Sequence, residues 1–375
     1  LVLTIDMELQ KEVERIIEEE LQMAKQESNT EYFDKSYVVI NNPKTGEILA
    51  MAGKQITLDD SGNYKILDYT PGVITSSVTP GSIVKGASHI VGYNTGALQI
   101  DEYRNDACIK IAATPLKCSY REYGYINDLD ALKYSSNTYQ FLTAIKVGNG
   151  VYEYNSPLVI DEKAFDTYRN TFAEFGLGVK TEIDLPNESL GYKGTNRLSG
   201  LLLDFSIGQY DTYTPIQIAQ YISTNANSGS RIQPYLLKAV FDSKEGTLNK
   251  LVYETKSKEL NKVNTEEKYL NRVKEGFIEV LSPGGTGYGY VDYNHKPAGK
   301  TGTAQSFLDT NNDGVIDTGT ITATFSAFAP YDNPEVVFTV ISPDVAPEEA
   351  NALYMSSVNR RISQKVSEKY FEIYG

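Results

Sequence analysis

Val78-Thr79-Pro80-Gly81-Ser82-Ile83-Val84-Lys85-Gly86-Ala87 is the stretch from which the rest of the chain can be read. Pro80 and Gly81 interrupt whatever precedes them, and Ile83, Val84, Ala87, Ile90 and Val91 follow at helical spacing. The pattern predicts that Ser82 lies in the first turn of a helix, where unpaired N–H groups and the positive end of the dipole favour a developing anion. Lys85, three residues on, projects from the same face, so its amine can reach the Ser82 hydroxyl. A serine at its free pKa is a weak nucleophile and needs an adjacent base. A lysine serves as that base only when burial and a nearby cation lower its pKa. A surface serine beside a solvated lysine has the same spacing, so this pair alone decides nothing.

Two further motifs give it a context. Ser135-Ser136-Asn137 lies in Leu129-Asp130-Ala131-Leu132-Lys133-Tyr134-Ser135-Ser136-Asn137-Thr138-Tyr139, and Lys300-Thr301-Gly302-Thr303 precedes a strand-like run near the C-terminus. S-x-x-K, S-D-N and K-T-G in this order form the signature of penicillin-binding proteins and class A β-lactamases, here with Ser in place of the Asp. The chain resembles the transpeptidase domain of a class B penicillin-binding protein, most like the cell-elongation type. Phe175-Gly176-Leu177-Gly178, Ile183-Asp184-Leu185-Pro186 and Gly208-Gln209-Tyr210 also look like segments of that family.

The bulk properties agree with such an enzyme. A length of 375 residues, with 41% hydrophobic and 22% charged residues, describes an ordinary globular chain with ample core. The net charge of −14 argues against nucleic acid and against adsorption to an anionic membrane surface. Only two histidines are present and no Cys/His cluster suggests zinc. His89 reads as a helix residue and His295 as part of a polar loop, so a Ser-His-Asp triad is disfavoured. No apolar run is long enough to span a membrane. The chain opens inside an apparent strand without an initiator Met, which reads as a fragment. The resembled family carries a membrane anchor and a non-catalytic N-terminal domain ahead of this point, and the resemblance implies that both are absent from this chain.

Along the chain, Asp6 caps a helix over Met7 to Gln26 whose apolar residues Leu9, Val13, Ile16, Ile17, Leu21 and Ala24 share one face. Tyr37–Asn41 and Glu47–Ala52 read as strands joined by Asn42-Pro43-Lys44-Thr45-Gly46. That turn contains a second Lys-Thr-Gly, which turn geometry explains without chemistry. Residues from roughly 84 to 230 read as helices and loops. One helix starts at Thr214-Pro215, buries Ile216, Ile218, Ala219 and Ile222, and stops at Gly229. Val273, Phe277, Ile278 and Leu281 mark a further helix before Pro283-Gly284-Gly285. Strands follow over Lys300–Phe307, Ile321–Ala329 and Val336–Ile341, then a terminal helix through Leu353, Val358, Ile362, Val366 and Tyr370. The expected fold class is α/β of the α+β type: one antiparallel sheet closed by remote strands, flanked by helices, with a mainly helical subdomain inserted. The resemblance names this the penicillin-recognition, serine β-lactamase-like fold. It makes residues 1–375 one transpeptidase domain.

The resemblance also implies roles. Ser82 attacks the carbonyl between the last two residues of a D-Ala-D-Ala stem peptide and forms an acyl-enzyme. Lys85, neutral through burial and the Lys300 charge, takes its proton, and Ser135 passes it to the leaving amine. Asn137 orients Lys85 and a substrate amide. Lys300 is electrostatic, while Thr301 and Thr303 bind the terminal carboxylate from alternate positions of an edge strand. Backbone N–H groups of Ser82 and Thr303 form the oxyanion hole, and Gly302 allows close substrate approach. No cofactor is required. The implied partners are peptidoglycan stem peptides, β-lactam antibiotics that acylate Ser82 and stay attached, and a membrane glycosyltransferase; the implied location is the extracytoplasmic face of the cell membrane. A serine β-lactamase and a β-lactam-sensing domain use the same motifs. Glu182-Ile183-Asp184-Leu185-Pro186-Asn187 resembles the loop that carries a hydrolytic glutamate, but the Pro-Asn context suits a tight loop.

Two features stand outside these roles. Cys108 and Cys118 are the only cysteines, and a hairpin centred on Ala113 would place them opposite each other for a disulfide; two independent buried cysteines is the alternative. Asp309-Thr310-Asn311-Asn312-Asp313-Gly314-Val315-Ile316-Asp317 repeats the first nine positions of an EF-hand calcium loop, with Asp309, Asn311, Asp313 and Asp317 as ligand candidates. Position twelve is Thr320 rather than Glu, and strands flank the loop, so a polar hairpin tip is the favoured reading.

Overall fold

The computed structural model describes residues 1–244, 247–311, 313–349 and 357–375. Leu353 and Asn312, both in stretches singled out above, lie outside them. The central feature is a six-stranded antiparallel sheet in the order β11-β12-β13-β2-β3-β4. Its first half comprises β2 (Lys35–Asn41), β3 (Ile48–Leu58) and β4 (Tyr64–Asp68); its second comprises β11 (Ala298–Leu308), β12 (Thr318–Ala329) and β13 (Val336–Pro347). The two halves join where Val337 faces Asn41 and Ile341 faces Tyr37. Both joining strands are runs of β-branched and aromatic residues buried on both faces, the composition expected of central strands.

Alternation along these strands divides the interior into two cores. Val38, Ile40, Phe325, Phe338 and Val340 face one side, under helices α1 (Met7–Ala24) and α10 (Val358–Tyr374). Asp6 caps α1 by accepting from the N–H groups of Glu8 and Leu9 at 2.9 and 3.1 Å. Tyr37, Val39, Val337 and Ile341 face the other side, against the helices of the middle of the chain. The turn at Asn42–Gly46 is held by Asn42 Oδ1, which accepts from the N–H groups of Lys44 (2.9 Å) and Thr45 (3.1 Å), so the second Lys-Thr-Gly is a turn.

Between β4 and β11 the chain forms α2 (Gly72–Thr75), α3 (Lys85–Thr95), the short pair β5 (Arg104–Asn105) and β6 (Tyr125–Ile126), α4 (Asp128–Lys133), α5 (Asn137–Val147), α6 (Lys163–Glu174), α7 (Ser199–Ser206) and α8 (Pro215–Ala226). Two small sheets follow, of which the sequence pattern predicts only the opening strand. β7 (Ser230–Ile232) pairs with β10 (Glu259–Lys262), and β8 (Leu237–Lys244) pairs with both β9 (Thr247–Glu254) and β1 (Val2–Leu3). Helix α9 (Glu267–Leu281) then leads into β11.

Helix α8 departs from the expected one-sided stripe. Every residue from Pro215 to Ala226 is buried, and the capping box of Thr214 and Gln217 closes its start. Its polar residues are satisfied internally: Gln217 Nε2 donates to the Val179 carbonyl at 2.7 Å, Gln220 Nε2 to Thr181 at 3.0 Å and Ser223 Oγ to Ala219 at 2.8 Å.

Ser82 also sits differently from expectation. Gly81–Val84 is a single 3₁₀ turn, and the α-helix begins only at Lys85. The cause is a contact between segments remote in sequence. Gly81 and Gly208 lie back to back, with the Gly81 N–H donating to the Gly208 carbonyl at 2.9 Å. Gly208 has φ +78°, and a Cβ there would stand 2.2 Å from the Gly81 carbonyl oxygen. Gly208→Ala is expected to lower stability by roughly 2 kcal/mol or more in chemical denaturation. Gly96→Ala, at a similar φ of +74° with open space around it, should lose only the conformational part, about 1 kcal/mol. Equal losses would show that the contact against the Ser82 turn tolerates a side chain.

Candidate active site

Three separate parts of the chain converge on one cavity of about 430 Å³, lined among others by Ser82, Ser135, Asn137, Thr301, Gly302 and Thr303. Ser82 enters on the 3₁₀ turn, Ser135 on the bend between α4 and α5, Asn137 on the first turn of α5, and Thr301–Thr303 on β11, an edge strand of the large sheet. Thr301 and Thr303 open to the cavity while Lys300, on the opposite side of the pleat, is fully buried. The glycine between them is also demanded by packing. A Cβ at Gly302 would come within 2.1 Å of Thr324 Oγ1 and 2.7 Å of the Pro80 carbonyl oxygen. Gly302 is therefore required by the close approach of the Ser82 turn to β11. Thr324 Oγ1 fastens that turn by donating to the Pro80 carbonyl at 2.7 Å.

Behind Ser82 two lysines with no exposed surface meet at one hydroxyl. Lys85 Nζ lies 2.7 Å from the Ser135 carbonyl oxygen, 2.7 Å from Asn137 Oδ1 and 3.3 Å from Ser135 Oγ. Lys300 Nζ donates to Ser135 Oγ and to the Thr301 carbonyl, both at 2.9 Å. Burial, then the Lys300 charge, hold the Lys85 amine well below the ordinary lysine range, with Asp106 opposing them. Burial pushes Lys300 down to about 7. A neutral Lys85 has two N–H groups and a lone pair. Its two N–H groups are taken by acceptor-only oxygens, so the lone pair is left for a hydroxyl. Ser135 accepts from Lys300, which leaves its own proton to point at Lys85. Ser135 is held at φ +57°, a left-handed conformation that a serine adopts only under constraint. The Ser82 hydroxyl has no hydrogen-bond partner among the described residues, so it faces the cavity beside Lys85 without yet engaging it.

The remaining candidates lie elsewhere. His89 is buried against the carbonyls of Lys85 and Asp128 and the amide of Gln140, and burial lowers it to about 4. His295 stacks on Phe371. Neither lines the cavity, and nor does Glu182. In the Asp309–Asp317 loop the candidate calcium ligands bind the loop's own backbone. Asp309 accepts from the N–H groups of Asp313 and Gly314, Asn311 from Asp313, Asp313 from Val315, and Asp317 from Thr310. Among the described residues no group of three or more His, Cys, Asp or Glu side chains is placed to hold a metal.

Cys108 and Cys118 are joined by a disulfide across a two-stranded bridge in which Ile109 and Lys117 exchange N–H···O bonds at 2.8 and 2.9 Å. Ala113, at φ +61°, makes the turn. The loop touches the site directly, because the Cys118 carbonyl accepts from Asn137 Nδ2 at 3.2 Å and Ser119 Oγ accepts from the Asn137 N–H at 2.9 Å. Asp106, buried beside it, accepts from the hydroxyls of Ser119 and Ser136. No motif announces Asp106 or Ser119; the only signal is their position flanking the two cysteines.

The penicillin binding protein transpeptidase domain family matches residues 36–368. Penicillin-binding protein 2A of Bacillus subtilis is 46% identical over the whole chain, which covers 52% of that protein. Peptidoglycan D,D-transpeptidase MrdA of Acinetobacter baumannii is 30% identical over 58% of the chain and 32% of its own length. The solved structure of penicillin-binding protein 2B from Streptococcus pneumoniae superimposes with a TM-score of 0.85 at 30% identity, covering 98% of this chain and 59% of that one. The chain thus spans about half the length of the first of these relatives, and among its described residues no helix is long and apolar enough to cross a membrane. On its sequence and its fold, the chain belongs to the transpeptidase-domain family of the penicillin-binding proteins.

Proposed function

We propose that the protein is a peptidoglycan D,D-transpeptidase that cross-links stem peptides through an acyl-enzyme on Ser82. The observation that carries this reading is the meeting of two fully buried lysines at Ser135 behind an unengaged serine hydroxyl. Ser82 Oγ attacks the carbonyl between the two terminal D-Ala residues, and its proton passes to neutral Lys85. Ser135, polarised by Lys300, relays that proton to the leaving amine, so terminal D-Ala departs as the C–N bond breaks. An amine of a second stem peptide then displaces Ser82 and restores the starting proton positions. Thr301 and Thr303 present hydroxyls to the donor's carboxylate. The N–H groups of Ser82 and Thr303 act on the developing oxyanion, a contribution of about 3–4 kcal/mol per donor. The steps assigned here use only side chains and backbone, with no cofactor. The family relationship supports the further proposals that the enzyme works in cell-wall elongation on the extracytoplasmic face of the membrane, anchored by a segment outside this chain and partnered with a glycosyltransferase.

A serine β-lactamase reading requires a base for deacylation, and Glu182 does not reach the cavity. A sensor reading predicts acylation without any peptide transfer. Covalent labelling by fluorescent penicillin followed by turnover of a thioester donor with an amine acceptor separates the three. The proposal expects stable labelling together with transfer; rapid loss of label, or labelling with no transfer, would overturn it.

Ser82→Ala is expected to abolish labelling with the melting temperature nearly unchanged, since a surface hydroxyl on the turn fills no core volume. Persistent labelling would place the nucleophile elsewhere. Lys300→Ala should slow acylation by about 100-fold or more, as loss of a preorganised electrostatic group does. Lys44→Ala, on the exposed turn, should change it less than about twofold. Comparable losses would contradict the assignment.

The pH dependence of the second-order acylation constant reports the free enzyme. Activity needs Lys85 neutral and Lys300 charged. It should rise as pH passes the strongly lowered Lys85 value and fall as Lys300 deprotonates, with the alkaline limb centred near 7 rather than near 10. A plateau extending to pH 10 would show that the Lys300 charge is not used.

A further inference from the structure

Asn137 serves Lys85 in only one amide orientation, and the structure fixes that orientation from behind. With Oδ1 on Lys85 Nζ at 2.7 Å, Nδ2 donates to the Cys118 carbonyl at 3.2 Å. Turning the amide over would set its NH₂, a donor, in place of the oxygen that accepts from Lys85, and its oxygen against the Cys118 carbonyl. The backbone is held as well, because Ser119 Oγ accepts from the N–H groups of both Asn137 and Thr138. Having used its oxygen as an acceptor, Ser119 gives its proton to Asp106 at 2.7 Å. The same carboxylate receives the hydroxyl of Ser136, the N-cap of α5, and the N–H of Tyr123 at 3.2 Å.

Asp106 is 2% exposed and forms no ion pair among the described residues. A carboxylate buried without a cation is unfavourable unless its hydrogen bonds and a nearby dipole compensate it. Here two hydroxyls, one N–H and the N-terminus of α5 do so. Either serine could cap the helix alone. A single carboxylate oxygen that accepts from both orders the two hydroxyls at once, and so holds the Asn137 backbone and, through Ser119, the adjoining Cys118 carbonyl that receives the Asn137 amide. The chain on either side is tied as well, because Cys108 and Cys118, bonded to each other, lie just beyond Asp106 and just before Ser119.

We propose that Asp106 is a positioning residue for acylation, acting through Ser119 and Ser136 to keep the Asn137 amide oxygen on Lys85. This rests on the roles given above to Ser82, Lys85 and Asn137. The test measures the limiting acylation rate and the half-saturating concentration of a chromogenic penicillin for the parent protein, Asp106→Ala, Asn137→Ala and the double variant. Asp106→Ala should lower the limiting rate about 10- to 100-fold, the range expected when a reacting group is misplaced, with a much smaller change in half-saturation. In the Asn137→Ala background it should cost less than about twofold, because the two residues act in series. Asp106→Asn should recover most of the rate, since an amide oxygen still accepts from both serines. A folded Asp106→Ala with the parent's rate, or losses that multiply with those of Asn137→Ala, would overturn the proposal. If Asp106→Ala does not fold, Ser119→Ala breaks the same link and is read by the same criteria. Acylation of the parent and its loss in Ser82→Ala test the underlying reading separately: a parent that resists penicillin refutes that reading, whereas an acylated parent with an undiminished Asp106→Ala refutes only the positioning.

Discussion

Holding two fully buried amines at a single serine hydroxyl is the constraint on which this structure depends. Burial and the Lys300 charge disfavour protonation of Lys85, so a neutral amine sits beside a charged one. Lowering Lys300 from the ordinary 10.5 to about 7 alone corresponds to on the order of 5 kcal/mol of unfavourable burial. The sign follows from linkage: the unfolded chain binds the proton more tightly, so this penalty is full below pH 7 and disappears as pH rises through 10.5. Only a rigid surround keeps such a pair from turning to solvent.

The surround is built from elements far apart in the chain. Helix α3 carries Lys85, strand β11 carries Lys300, and the bend between α4 and α5 carries the hydroxyl that both address. The Ser82 turn is pressed between β11 and the segment at Gly208, with glycines at each close approach. The large sheet fixes β11 through a ladder that runs from its edge to the strands of the N-terminal half. The disulfide loop closes the last side by carrying Cys118 and Ser119 onto Asn137. The site is therefore as rigid as the contacts among four segments allow, which is what the left-handed Ser135 requires.

Much of this was legible in the sequence because the chemistry restricts residue type. Ser82, Lys85, Ser135, Asn137 and Lys300 could be picked out from spacing and order, and α1 and every strand of the large sheet except β4 from their periodicity and turn signals. What could not be read depends on partners remote in sequence. The 3₁₀ turn at Ser82 packs on Gly208, and Gly302 answers to Pro80 and Thr324. The complete burial of α8, glutamines included, follows from its place between the sheet and the segment that supplies the Val179 and Thr181 carbonyls. Asp106 is marked only by its place just before Cys108, since a buried carboxylate satisfied by two serines is defined only once the loop folds over α5.

The electrostatics of the two buried lysines can be measured without substrate. A ¹³C NMR titration of lysine Cε signals, with Lys85→Arg and Lys300→Arg for assignment, reads each amine directly. Lys300 is expected to titrate near 7, with Lys85 remaining neutral through that range. Titration of both Lys85 and Lys300 near 10 would contradict this expectation.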